Sequence, residues 1–286
     1  MNGLDKRLHA WRDDLADERL KGRIEAGRFV VGRPARVGVP VADMLAEPDT
    51  SAGLNTQLLL GDHVLVFEEG PEWAWVQAVH DNYVGYVARS AIGAVVVEAT
   101  HVVSVPRTFL YSGADLKLPR KACLSMGSRL SVDGFAETRG TRYAMLASGE
   151  ALIAAHLEPV EESADDYVGV AEALLSTPYL WGGTSAFGID CSGLVQLSLR
   201  MAGRPVPRDT DMQASALGEP LDPGADMAGL RRGDLVFWKG HVAIMLDGQE
   251  IIHANGHTMT VSREKLSAAV ERIAYLYGGP TGFRRP

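Results

Sequence analysis

Asp190-Cys191-Ser192-Gly193 runs directly into Leu194-Val195-Gln196-Leu197-Ser198-Leu199, which places one of the chain's two cysteines at the first turn of a predicted helix. Free backbone N–H groups and the positive end of the helix dipole stabilise an anion there, so the sequence predicts a thiol that loses its proton easily. Strand-like segments follow. Asp234-Leu235-Val236-Phe237-Trp238 precedes His241-Val242-Ala243-Ile244-Met245-Leu246, and His253 closes Ile251-Ile252-His253-Ala254. A helix-borne cysteine and two sheet-borne histidines are the residue types that thiol catalysis needs: a nucleophile, a base within hydrogen-bond reach, and a group that fixes the base's tautomer. Taken singly, a lone cysteine reads as a small buried hydrophobe and each histidine as a satisfied core side chain, but neither reading explains the joint pattern.

Five segments in order, Tyr179-Leu180-Trp181-Gly182-Gly183, Asp190-Cys191-Ser192-Gly193-Leu194-Val195, Gly233-Asp234-Leu235-Val236-Phe237, His241-Val242-Ala243-Ile244 and His253-Ala254, resemble the motifs of the NlpC-type cell-wall peptidases. The resemblance covers roughly residues 160 to 283. It implies an α+β, papain-like catalytic domain with Cys191 as nucleophile, His241 as general base and acid, and His253 orienting His241. It departs in the strand Val242-Ala243-Ile244-Met245-Leu246, where relatives more often carry glycine and an aromatic residue. The Cys191 N–H is an expected oxyanion donor and the Tyr179 hydroxyl another, packing being the alternative for the tyrosine.

A length of 286 residues with 46% hydrophobic side chains suffices for two or three domains with real cores. Leu4, Leu8, Trp11, Leu15 and Leu20 recur at roughly helical spacing, predicting an amphipathic N-terminal arm over residues 1–35. Short alternating runs then take over: Val64-Leu65-Val66-Phe67, Trp73-Ala74-Trp75-Val76 and Tyr83-Val84-Gly85-Tyr86-Val87, with a weaker echo from Val102 to Ile153. They predict two small β-barrels, over residues 36–96 and 97–160, which resemble bacterial SH3-like domains. The catalytic domain is expected over 161–286. Its first helix starts at Tyr167 behind an Asp or Ser cap and packs beside the Cys191 helix, which Gly203 closes; a last helix lies near Lys265 to Val270.

By resemblance the scissile amide joins γ-D-glutamate to a diamino acid, diaminopimelate or lysine, in peptidoglycan stem peptides. Also by resemblance, the first barrel limits access, so that a peptide with a free N-terminal L-alanine is accepted. An ammonium needs an anionic cup, for which Asp190, Glu47 and Tyr83 are candidates. Asp209 and Thr210 lie in a segment resembling the loop that lines the substrate cleft, and read otherwise as an ordinary polar loop. Trp181 suits a cleft wall or plain packing, and Ser192 a substrate contact or a helix cap.

A net charge of −8 offers no broad attraction for nucleic acid or anionic membranes, and neither is an expected partner. Met1 to Leu20 is charge-rich without an apolar signal core, so a cytoplasmic location and a role in recycling soluble muropeptides are expected. Cys191 has to stay free, leaving Cys123 as a buried structural thiol. No cofactor is expected. Three rival readings stay open: an acyl transferase or amidase with the same machinery, a non-catalytic wall-peptide binding module, and a zinc site built from Cys191, His241, His253 and His257, whose spacing lacks a paired short-range ligand motif apart from His253 and His257.

Overall fold

The computed structural model describes residues 3–94 and 97–286, and the chain divides into two compact units, residues 1–161 and 162–286. The first unit is almost entirely strand. It opens with β1 (Leu15–Asp17) and β2 (Arg28–Val30), a short parallel pair. Then come β3 (Arg33–Val37), β4 (Val41–Leu45), β5 (Leu54–Leu59), β6 (His63–Glu69), β7 (Trp73–Ala78), β8 (Val84–Ala88) and β9 (Ile92–Gly93). These seven make one antiparallel sheet in the order β5-β4-β8-β7-β6-β3-β9.

Residues 101–159 follow with β10 (His101–Val103), β11 (Arg107–Tyr111), β12 (Arg120–Ser125), β13 (Arg129–Leu130), β14 (Gly134–Thr138), β15 (Thr141–Met145), β16 (Ala151–Ile153) and β17 (Leu157–Pro159). They form a five-stranded sheet, β12-β11-β16-β15-β14, and a three-stranded one, β13-β10-β17. The connectivity echoes the first sheet. In both regions the first strand pairs with the last, a short 3-10 turn precedes that last strand (Arg89–Ala91, Ala154–His156), and the second strand pairs with the third and with the strand before the turn. The second region has its own core of Val103, Leu110, Leu124, Leu130, Ala144, Leu152 and Leu157.

The helical arm expected over residues 1–35 is not there: among the described residues this segment holds strands, turns and one 3-10 turn, Glu18–Leu20, but no α-helix. Its backbone polar groups are used by the sheet beneath instead of by a helix ladder. Gln77 Nε2 donates to Leu8 O at 2.8 Å and Val84 N–H to Arg7 O at 2.8 Å, while Asp17 N–H returns to Ala10 O. Arg12 stacks 4.5 Å from the Trp75 ring and reaches Glu68 at 2.6 Å. Ala10 and Leu15 thereby join Phe67, Trp75 and Val84 in a core on that face. Cys123, expected buried, is half-buried on β12 opposite Phe109, because it points to the outer side of a sheet whose inner side is taken by Leu124; both cysteines are free.

The second unit holds the four α-helices of the described residues: α1 (Tyr167–Ala173), α2 (Cys191–Met201), α3 (Thr210–Ala216) and α4 (Leu266–Tyr277). After the two-residue strands β18 (Thr184–Ser185) and β19 (Gly188–Ile189), a six-stranded antiparallel sheet is built from β20 (Glu219–Pro220), β21 (Leu235–Trp238), β22 (His241–Met245), β23 (Glu250–Asn255), β24 (Thr260–Lys265) and β25 (Gly282–Arg285), in the order β20-β25-β21-β22-β23-β24. Asp166 caps α1 by accepting from Val168 N–H at 2.9 Å, α1 packs on α2, and Gly203 at φ +71° ends the chain's helical run after Met201. α2 is buried from Cys191 through Leu199 and rests on β22 and β23, while α4 covers a core of Val236, Trp238, Ala243, Met245 and Ile251. The architecture is α+β, with sheet dominant, α1 and α3 packed on the cysteine-bearing α2, and α4 on the sheet.

Replacing Leu15, which is fully buried where the N-terminal segment crosses the sheet, by Ala is expected to lower unfolding free energy by about 2–5 kcal/mol, read by chemical denaturation. A cost near zero would mean that the segment peels away without consequence.

Candidate active site

Cys191 is the first helical residue of α2, and Asp190 is its N-cap, accepting from Gly193 N–H at 2.7 Å. The cap is anchored on three sides. Asp190 also accepts from Gly182 N–H at 2.9 Å and from Ser192 Oγ, and it forms a two-pronged ion pair with Arg208, Nη2 to Oδ2 at 2.7 Å and Nη1 to Oδ1 at 3.1 Å. Arg208 is 1% exposed. The glycines of this corner are required by contact. Gly182 takes φ +76°, and a Cβ on Gly193 would lie 2.2 Å from the Gly183 carbonyl oxygen, so only glycines let the Trp181-Gly182-Gly183 turn settle on the first turn of α2.

The thiol sits 3.9 Å from Thr210 Oγ1, at the first residue of α3, and donates toward Gly240 O at 4.0 Å. Gly240, at φ +74°, turns β21 into β22, where Trp238 pairs with His241. His241 Nε2 lies 2.9 Å from His253 Nδ1 on the neighbouring strand β23, with ring centroids 5.1 Å apart. The Trp238 ring stands 5.7 Å away on His241's other flank. Among the described residues no hydrogen bond joins Cys191 Sγ to His241. Since Nε2 is committed to His253, Nδ1 is the nitrogen available to a thiol proton.

The electrostatics differ from the helix-end expectation. Burial, with the charge of Asp190, pushes the Cys191 thiol up to about 11, against the pull of the Val242 N–H, the Thr210 hydroxyl and Arg208. Desolvation by a 7%-exposed site outweighs the helix dipole, whose partial charge Asp190 already meets. Burial also pushes His241 down to about 3, assisted by His253 and Arg272 and opposed by Glu264. The resting pair is therefore an uncharged thiol and an uncharged imidazole. Burial raises the Tyr179 hydroxyl above its ordinary range, with Cys191 and Asp190 adding to the rise, so a half-buried phenol that keeps its proton stands near the thiol.

Of the residues proposed to touch substrate, Trp181 is 71% exposed and packs little, consistent with a wall and not with a core role. Thr210 reaches the thiol and Asp209 caps α3 by position, half-buried and without a side-chain cap bond. Asp190 and Ser192 are engaged with Arg208 and with each other, so the carboxylate's charge is compensated within the protein. Tyr83 and Glu47 belong to the first unit: Tyr83 is buried just before β8 with its N–H on Asp81 Oδ1, and Glu47 is exposed in the bend after β4. The four residues of the zinc reading do not converge; His257 is exposed on a turn held by Asn255, and among the described residues no group of three His, Cys, Asp or Glu is disposed around one point.

Four side chains, Arg208, Gln213, Glu264 and Arg272, were given no role in the sequence reading. Arg208 lies inside a segment read as a polar loop; its signal was the need of a buried cap carboxylate for a counter-charge. Gln213, fully buried on α3, donates to Ser192 O at 2.9 Å and Pro207 O at 3.0 Å and ties the 207–210 loop to α2. Glu264 approaches His253 Nε2 at 3.0 Å and pairs with Arg272 of α4. Nothing in the sequence fixes the β23–β24 register that brings Glu264 there.

Comparison with known proteins follows this geometry. Residues 176–277 match the NlpC/P60 family, and residues 44–92 match the bacterial dipeptidyl-peptidase SH3 domain. Dipeptidyl-peptidase 6 of Lysinibacillus sphaericus is 28% identical over 268 residues, 83% of this chain and 97% of that protein. The γ-D-glutamyl-L-lysine dipeptidyl-peptidase of Bacillus subtilis is 28% identical over 224 residues, 70% of this chain and 72% of that protein. A solved NlpC/P60 family protein from Bacillus cereus superposes with a TM-score of 0.72 at 22% identity, covering 88% of this chain and 99% of the other, which shows a shared fold.

Two outcomes are expected. In a Cys123→Ser background, alkylation of Cys191 by iodoacetamide should keep rising with pH beyond 9, because a raised thiol pKa keeps thiolate scarce until the solution is strongly alkaline; a plateau near neutrality would contradict a buried, uncharged thiol. Arg208→Met, which strands the Asp190 charge, should cost about 3–5 kcal/mol in denaturant unfolding, with Asp190→Asn in the same chain recovering part of it.

Proposed function

We propose, for a cysteine peptidase whose residues 176–277 belong to the NlpC/P60 family, that the bond cut is the amide between γ-D-glutamate and the diamino acid of a peptidoglycan stem peptide, and that the peptide accepted is a soluble one with a free N-terminal L-alanine. The observation that carries this is the 28% identity, across most of both chains, to proteins named dipeptidyl-peptidases, one of them for the γ-D-glutamyl-L-lysine bond. Release of a dipeptide requires recognition of a free amino end two residues from the cut. That is the task assigned to the SH3-type region.

The chemistry uses the groups already described. As substrate enters, the thiol exchanges its bond to Gly240 O for one to His241 Nδ1, which takes the proton while Sγ attacks the γ-carbonyl carbon. The carbonyl oxygen becomes an oxyanion, met by the Cys191 N–H at the start of α2 and by the protonated hydroxyl of Tyr179. The imidazolium returns its proton to the amine of the diamino acid as the C–N bond breaks, leaving a thioester. A water molecule, deprotonated by His241, then hydrolyses the thioester and frees L-Ala-γ-D-Glu and the thiol.

Trp181 walls the acceptor side, and Asp209 and Thr210 supply polar contacts to the peptide. Glu47, exposed, with Tyr83 beside the Asp81-Asn82 turn, is assigned to the alanine ammonium, because Asp190 is compensated by Arg208. A cytoplasmic role in recycling muropeptides belongs to the same proposal. No described helix is long and apolar enough to cross a membrane.

The test is to offer L-Ala-γ-D-Glu-diaminopimelate, the same peptide acetylated at its N-terminus, and polymeric wall, with Cys191→Ala as control and products identified by mass spectrometry. The expected outcome is release of L-Ala-γ-D-Glu from the free-amine peptide alone, abolished in the control. Glu47→Gln should raise KM by about tenfold with kcat little changed, since it removes binding and not chemistry. Equal cleavage of the acetylated peptide would sink amine recognition, and transfer of the acyl group to added amines in preference to water would make the protein a transferase.

A further inference from the structure

His253 is 1% exposed, and both of its ring nitrogens face a polar atom: Nδ1 faces His241 Nε2 at 2.9 Å, and Nε2 faces Glu264 Oε1 at 3.0 Å. The sheet register makes this meeting. On β23 and β24 Ile251 pairs with Glu264 and His253 with Ser262, so Glu264 stands one pair along from His253 on the same face, within diagonal reach. α4 begins at Leu266, directly after this strand, and runs back so that Arg272 grips the Glu264 carboxylate.

We propose that Glu264 is a positioning residue: through His253 it holds the His241 ring protonated at Nε2 and keeps Nδ1 bare to receive the Cys191 proton. This rests on the reading of His241 as the base. The argument is one of proton placement. The approach of Glu264 to Nε2 is bent away from an ideal ring hydrogen bond, but at 3.0 Å a ring lone pair and a carboxylate lone pair would repel, so the proton lies between them, on His253 Nε2. A ring carrying one proton then offers Nδ1 as an acceptor. Against it, His241 Nε2 has to donate, and His241 Nδ1 has to be empty.

Burial would raise the Glu264 carboxyl, but the hydrogen bonds of His253 and Arg272 more than offset it and hold the group at about 2, so it stays an acceptor at any working pH. The charged and titratable groups around His241 are Cys191 from α2, His253 from β23, Glu264 from β24 and Arg272 from α4. When His241 takes the thiol proton, Glu264 stabilises the imidazolium through His253. Arg272 keeps the carboxylate from taking the proton itself, which leaves it on His241 for the leaving amine.

The experiment is 15N NMR of the histidine rings in the full-length protein, with His241 assigned by its loss in His241→Gln, in the wild type, Glu264→Gln and Glu264→Leu. Wild type is expected to show His241 protonated at Nε2 only. Glu264→Gln keeps an acceptor oxygen and should keep the tautomer, whereas Glu264→Leu should give a mixture and lower kcat by about tenfold or more while KM changes little. In Glu264→Gln kcat should fall between the two. His241 protonated at Nδ1 in the wild type would overturn the proposal without any variant, and so would an unchanged tautomer in folded Glu264→Leu. The ring spectra need no substrate, so failure to cleave stem peptides would count against the proposed function alone, and cleavage by a protein with the wrong tautomer would count against this assignment alone.

Discussion

The carboxylate of Asp190 is the point at which the catalytic unit is tied together. It caps α2 through Gly193, receives the turn of Gly182, and is matched by a buried arginine that arrives from the loop ahead of α3. Each of these bonds positions a different piece of chain around Cys191: the helix that carries it, the Trp181-Gly182-Gly183 turn next to Tyr179, and the segment that brings Thr210 to the sulfur. A buried ion pair gains little over apolar packing in net free energy, but losing one partner leaves an uncompensated charge, so the pair functions as a registry pin for three pieces of chain.

The same pair also shapes the reactivity. A cysteine at a helix N-terminus is expected to ionise easily, yet here the carboxylate already occupies the positive end of α2 and the thiol lies in a dry site, so it rests as a thiol. His241 rests uncharged for the same reason. Such a site stores no thiolate–imidazolium pair ahead of substrate. In the proposed mechanism the charges form only as the carbonyl arrives, when the proposed oxyanion donors would meet the new negative charge and the His253–Glu264 chain the positive one, which is where stabilisation lowers a barrier and not merely a ground state.

The sequence disclosed the parts of this arrangement that local pattern can carry. Asp190 before an apolar run announces a capped helix, His241 and His253 lie in strand-like apolar runs, and paired glycines mark a tight turn; each appears in the structure as the pattern implies. What it withheld depends on tertiary partners. The spacing of Leu4, Leu8, Trp11 and Leu15 fits a helix, but Gln77 and Val84, far along the chain, claim the backbone groups that a helix would use. Arg208 reads as one more loop cation until the buried carboxylate it serves is known, and Glu264 has no role, sitting just ahead of the predicted last helix, until the strand register brings it to His253.

That edge position explains why such a device can be built here. β24 ends the six-stranded sheet, its outer side meeting the short 176–179 segment through bonds such as Val261 N–H to Thr177 O at 2.8 Å, and the chain leaves it straight into α4, which folds across the sheet's face. A carboxylate on the strand and an arginine one turn and a half into the helix are then neighbours by connectivity alone, with no long-range closure entropy to overcome. Cys191 has the opposite problem: its contacts are Thr210 at the start of α3 and Gly240 in the turn before β22, both separated from it by a long stretch of chain. The catalytic unit thus combines a local, inexpensive electrostatic support at its sheet edge, which ends at the rings of His241 and His253, with a long-range junction at Asp190, which fixes the helix that carries Cys191.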